Sequence, residues 1–119
     1  MKFSESLKKN TDFRNVYKRG ASYANRFLVL YALPNGTKRN RLGITVSKKV
    51  GNSVVRHRLT RLIRESYRLH EEIFQNGLDM VAIARVSARG ASYWEIEESL
   101  LFLANLHRIT DNEKKMESV

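Results

Sequence analysis

The 119 residues contain no cysteine, which excludes disulfides, thiolate nucleophiles and thiolate zinc sites. No run approaches the ~20 apolar residues that cross a bilayer, and the opening MKFSESLKKN lacks the apolar core of a signal peptide. A soluble, cytoplasmic protein is therefore expected, with no membrane partner. Enzyme constellations are also missing. His70-Glu71-Glu72 is not H-E-x-x-H, and no Ser/His/Asp set, paired carboxylates or phosphate loop appears. No catalytic residue and no metal ligand is assigned.

Acid is the other scarce commodity. Twelve Asp and Glu stand against 22 Lys and Arg, giving a net charge of +10 and a pI near 10.2. Such an excess favours nucleic acid or another anionic surface as partner. It is unevenly spread: residues 1–90 hold 19 cations and 6 acids, residues 91–119 hold 3 and 6. The partner is expected on the first three quarters of the chain.

Seven of those cations fall in Lys48–Arg68, against the single acid Glu65. At about 100° per helical residue, a helix from Val54 gathers Val55, Leu59, Leu62, Ile63 and Leu69 on one side. His57, Arg61, Arg64 and Arg68 share the opposite side, flanked by Arg56 and Arg58. Solvation alone accounts for many charged helix faces. A merely solubilising face normally mixes signs, however, and like charges at i,i+4 repel. A polyanion relieves that repulsion, and the planar guanidinium fork suits phosphate.

Around this helix the residues predict an alternating order of elements. Asn10 or Thr11 caps a short helix through about Arg19, stopped by Gly20. Ala21 to Asn25 is irregular or a brief strand. Arg26–Leu33 reads as a strand covered on both faces, Pro34-Asn35-Gly36 as a turn, and Arg41–Ser47 as the second arm of a hairpin. Gly51, Asn52 and Ser53 lead into the basic helix, which runs to about Gln75 before Asn76-Gly77. Leu78–Val86 is an apolar strand. Ser92 and Glu95 form a capping box for a helix through about Ile109, with Ile96, Leu100, Leu103 and Ala104 as its core stripe and His107 on the core side. A polar, frayed tail is expected from Thr110. The expectation is one domain over residues 1–119, ordered from about 5 to 109. Its fold is an α/β sandwich with a mixed four-stranded sheet in the order α-β-β-β-α-β-α.

The segment KKVGNSVVRHRLTRLIRE resembles the signature of the bacterial ribonuclease P protein component, close to K-K-x-G-N-A-V-x-R-N-R-x-K-R-x-x-R. Lys48, Lys49, Gly51, Asn52, Val54, Arg56, Arg58, Arg61 and Arg64 match in register. His57 replaces the usual Asn, and Thr60 a frequent Lys. Asn10–Tyr31 and the pair Ala84-Arg85 are also similar to the family.

The resemblance implies a noncatalytic subunit that binds a large catalytic RNA, which removes the 5′ leader of precursor tRNA using bound magnesium ions. The protein itself is expected to bind no cofactor and to need no obligate protein partner. The RNA-binding set so implied is Lys48, Lys49, Asn52, Arg56, His57, Arg58, Arg61, Arg64 and Arg68. A leader cleft maps onto Phe13, Tyr17 and Tyr31, with Lys18 and Arg26 nearby. The resemblance further implies a left-handed βαβ crossover, against the right-handed rule for parallel strands. A ribosomal or RNA-chaperone protein would share the charge and fold without needing a cleft. A DNA-binding module fits less well, since the basic helix has few Asn or Gln to read base edges, and a standalone metal-dependent nuclease is more remote still.

Overall fold

The computed structural model describes residues 1–110, so most of the expected polar tail lies outside the described residues. In chain order the elements are β1 (Ser4–Ser6), α1 (Asn10–Arg19), β2 (Ala21–Ala24), β3 (Leu28–Pro34), β4 (Asn40–Thr45), α2 (Ser53–His70), β5 (Leu78–Ala84) and α3 (Tyr93–Leu106). Short 3-10 turns at Glu71–Ile73 and Val86–Ala88 flank β5.

The mixed sheet has five strands, not four, in the order β1-β4-β5-β3-β2. The added strand, β1, is a Ser-Glu-Ser edge running parallel to β4. Nothing apolar announces it. It is held by a buried chain of hydrogen bonds in which Ser4 Oγ donates to Glu71 Oε2 at 2.9 Å and lies 2.7 Å from Tyr67 Oη. Since the serine proton goes to the carboxylate, the phenol must donate to Ser4. Asn40 Nδ2 donates to Tyr67 Oη at 3.4 Å, and Asn40 Oδ1 accepts from Leu78 N–H at 2.9 Å. Burial pushes the Tyr67 phenol above its ordinary pKa, so it stays a neutral donor.

The expected hairpin between the third and fourth strands does not form. β5 inserts between them, antiparallel to β3 and parallel to β4. Both expected arms are apolar enough to neighbour each other, but β5 is buried along almost its whole length and needs a strand on either side. The Asn35 loop supports this arrangement, its Nδ2 donating to Asp79 Oδ1 at 2.9 Å.

Alternation along the strands sorts the sheet into two faces. Leu28, Leu30, Leu42, Met80 and Ala82 face the larger core beneath α2 and α3, with Leu59, Ile63, Tyr67, Ile96, Leu100 and Leu103. Val81 faces the other way, onto Leu7 and Val16 under α1. The α3 stripe and the Ser92–Glu95 capping box form as expected. His107, at the end of α3, rests its Nε2 2.7 Å from the Leu30 carbonyl, and burial lowers its pKa.

Several boundaries move. The cap of α1 is Lys9, which makes no side-chain cap bond, so neither Asn10 nor Thr11 serves. Gly20 is needed because a Cβ there would lie 2.6 Å from the Val16 carbonyl oxygen. α2 ends at His70 rather than near Gln75, and α3 at Leu106 rather than near Ile109. Thr110, expected in the tail, forms an isolated antiparallel bridge with Phe74.

The α1 face also carries a charged anchor. Asp79, 3% exposed, accepts from Arg41 Nε at 2.8 Å and Nη2 at 2.6 Å, while Arg41 Nη1 reaches Asp12 at 3.3 Å. Burial raises the Asp79 pKa, but the hydrogen bonds from Arg41 and Asn35 outweigh it and leave the carboxyl below its ordinary value. A depressed carboxyl adds stability above its unfolded pKa, and that stability is lost as pH falls through the folded one. Arg41→Ala should cost ~3 kcal/mol, near the lower end for breaking a buried pair because Arg41 is partly exposed. Denaturant titration checks this, and Asp79→Asn should flatten the acid limb of the stability–pH curve.

Candidate nucleic-acid interface

The approach to α2 is built by a turn and a cap. Val50, 2% exposed, seats the turn, and its N–H donates to the Ser47 carbonyl at 3.1 Å, leaving Lys48 and Lys49 outside. Asn52 Oδ1 accepts from Val55 N–H at 3.0 Å and starts the helix. Gly51 is needed for a local reason: a Cβ there would lie 2.8 Å from the Val55 side chain. Its small size lets the turn fold onto the first turn of α2.

The helix divides as its periodicity predicts, with one exchange. Leu59 and Ile63 are buried, with Val55 and Leu62 partly so. Leu69, expected in the core, is 54% exposed, and Tyr67 takes the buried position instead. The aromatic ring reaches the core and its hydroxyl meets the Ser4–Asn40 chain, a combination Leu69 cannot supply.

The cations are not equivalent. His57, Arg61 and Arg64 are exposed, and among the described residues Arg61 and Arg64 make no ion pair. Arg58 Nη2 donates to the Ala91 carbonyl at 2.8 Å, which aims its guanidinium along the loop before α3. Arg68 Nε donates to Glu65 Oε2 at 2.9 Å, and that bond holds the Glu65 carboxyl below the ordinary range. Arg56 is half-buried, with its Nε sealed from solvent and lacking a hydrogen-bond partner. Thr60 turns inward and donates to the Arg56 carbonyl at 2.9 Å. From Arg56 to Arg68 the row runs ~18 Å at ~1.5 Å per residue.

A second surface lies across the sheet. Phe13 and Tyr17 project from α1, their ring centroids 6.3 Å apart, and the Tyr17 ring meets Tyr31 of β3 edge-on at 5.1 Å. Tyr17 Oη lies 3.2 Å from Thr45 Oγ1. Phe13 can pack closely on β4 because residue 43 is glycine; a Cβ there would come within 2.6 Å of its ring. Phe13 and Tyr31 are half-buried, while Tyr17 keeps 38% of its surface exposed. The three aromatics expected together are thus together, with Lys18 exposed on the same helix.

Arg26 departs from expectation. Its guanidinium sits 4.9 Å from the Phe27 ring and lines a groove with Phe102, Glu95 and Glu98 on the α3 side. The β2–β3 loop carries it away from the Tyr17–Tyr31 pair. The residues that sequence reading missed are Thr45 and Gly43. The alternation of Gly43, Thr45 and Ser47 against Leu42, Ile44 and Val46 signals that they share one face, but not that this face lies under α1.

Comparison with known proteins decides the family. The ribonuclease P family model matches residues 1–107. The chain belongs to the ribonuclease P protein family. It is 58% identical to the ribonuclease P protein component of Lachnoclostridium phytofermentans over 106 residues, covering 89% of this chain and 91% of that one. With the component of Clostridium perfringens the identity is 46% over 120 residues, covering 95% and 96%. The ribonuclease P protein of Staphylococcus aureus superposes with a TM-score of 0.84 at 37% identity, covering 90% of this chain and 98% of that one. That of Thermotoga maritima gives 0.78 at 32%, covering 85% and 96%.

As a ribonuclease P protein component, the chain presents its unpaired cations on one side of α2. If each exposed cation neutralises one phosphate, Arg61→Ala with Arg64→Ala should reduce the log–log salt slope of RNA binding by ~1.4–1.8, from ~0.7–0.9 per contact. Because both side chains are exposed, the melting temperature should hold. Binding titrations at several salt concentrations test this, and an unaltered slope would remove both residues from the interface.

Proposed function

We propose that this protein grips the catalytic RNA of ribonuclease P through Lys48, Lys49, Asn52 and the α2 cations, and lays the 5′ leader of precursor tRNA across the α1 cleft. The RNA makes the cut and the protein positions the substrate, in the cytoplasm. One observation carries this reading: two different surfaces, a guanidinium row and an aromatic cluster, stand on opposite sides of one sheet. The row suits phosphates of a folded RNA, while aromatic rings beside cations take unpaired bases of any sequence.

Magnesium belongs, on this reading, to the RNA–protein complex. The protein's part, on the same reading, is to bind and orient, and its cations lower the repulsion between two RNAs brought together.

A left-handed passage from β4 through α2 to β5 is supported by backbone geometry. The Leu42 carbonyl accepts from Leu7 N–H at 2.9 Å, toward β1, while the Leu42 side chain enters the α2 core. For an L-residue whose side chain faces the viewer on an upward strand, the carbonyl points right. Hence β1 lies right, β5 left, and a helix crossing in front moves left-handedly.

Reconstitution with a bacterial ribonuclease P RNA at low magnesium tests the function. Added protein should restore cleavage of a precursor tRNA; no effect would favour a ribosomal or chaperone role instead. Within that assay, Tyr17→Ala should weaken precursor binding about tenfold, from stacking worth ~1–3 kcal/mol per base, while sparing mature tRNA. Equal losses for both ligands would exclude a leader cleft.

A further inference from the structure

Beyond the two surfaces already described, the amino-terminal segment builds a third feature at the far end of α2. Phe3 is 51% exposed although its backbone is fixed: the N–H groups of Lys2 and Phe3 donate to Glu71 Oε1 at 2.6 Å and 3.3 Å. Glu71 itself is buried and also accepts from Ser4. A chain end pinned this firmly, with its aromatic ring turned outward, is poorly explained by core packing. Beside it stands Leu69, the residue that helical periodicity placed in the core and the structure leaves outside. Phe3 and Leu69 line one groove with Lys2, Arg68 and Glu72. Lys2 Nζ lies 5.8 Å from the Phe3 ring centroid.

We propose that this groove takes an unpaired base of the catalytic RNA, stacked on Phe3 against Leu69, with Lys2 and Arg68 at the flanking phosphates. The inference rests on the assignment of α2 to that RNA. Continuity identifies the occupant: Arg61, Arg64 and Arg68 run along one side of the helix and end at this groove. A strand following that row therefore meets an aromatic face just where the cations stop. The leader is the less suitable occupant, because its cleft lies across the sheet. Glu72 is the opposing charge. Glu65 partly neutralises Arg68, so Lys2 carries more of the attraction.

The test measures binding of the full chain to ribonuclease P RNA with no tRNA present. Phe3→Ala should weaken binding about fivefold or more, the lower bound for losing one base stack, with an unchanged salt slope. Phe3→Trp should retain it, since stacking survives. Lys2→Gln should lower the slope by ~0.7–0.9. Both side chains are exposed, and matched melting curves confirm the fold. Binding of Phe3→Ala within twofold of the unaltered protein would overturn the inference and leave the α2 assignment standing. So would a loss seen only when precursor tRNA is added, which would move Phe3 to the substrate. Failure of the unaltered chain to bind the RNA would instead bring down the assignment, and this inference with it.

Discussion

Everything in this molecule is arranged around β5, a strand covered on both faces and paired on both edges. Its even residues close the larger core with α2 and α3, and its odd residues meet α1 or the Arg41 anchor. That alternation separates the cation row of α2 from the aromatic cluster under α1. Because α2 spends its apolar side on the even face, its other side is free for cations. Because α1 is short, it covers the odd face only in part and leaves Tyr17 exposed and Tyr31 half-buried. Two chemically different surfaces thus follow from one buried strand without competing for the same residues.

Periodicity made the basic helix legible, since Leu59 and Ile63 sink while Arg61 and Arg64 stay out. The capping box at Ser92 was equally readable, because it depends on two residues three positions apart. Non-local pairing was not. Consecutive apolar strands with a Pro-Asn-Gly turn read as a hairpin, and no local signal says that a strand some 40 residues later will enter between them. β1 was hidden for another reason: Ser-Glu-Ser has no strand pattern, and its burial depends on Tyr67, Glu71 and Asn40, which are distant in the chain. The aromatic cluster was found as residue types, yet its floor was missed, since glycine at position 43 explains itself only once Phe13 is laid upon it.

The misplaced Leu69 carries a wider lesson about helix faces. A 100° count assigns residues to a side, but it cannot weigh two claimants at opposite margins of one apolar face, where Tyr67 and Leu69 stand. Tyr67 goes inward because its ring fills apolar space and its buried hydroxyl finds partners in Ser4 and Asn40. Left unpaired, that hydroxyl would cost ~1–3 kcal/mol, comparable with the gain from burying one leucine side chain, ~1.5–3 kcal/mol. With the hydroxyl paired, the gain from burying the ring is kept, and Leu69 is left on the surface.

The same reasoning explains why the cations on α2 differ in kind. A guanidinium tied to a backbone carbonyl, as in Arg58, keeps its full charge and loses side-chain freedom, so less entropy remains to be lost when a phosphate arrives. One tied to a carboxylate, as in Arg68, must first exchange partners. Free ones, as in Arg61 and Arg64, contribute charge at once but are ordered only on binding. Arg56 lies between, because its buried Nε fixes the stem while the rest of the fork can still reach outward. The row is thereby graded from a preorganised start near the Lys48–Asn52 turn to a compensated end near Glu65. Register on a polyanion should accordingly be set at the amino-terminal half of the helix, where the geometry is already fixed, with the remaining cations following along the phosphates.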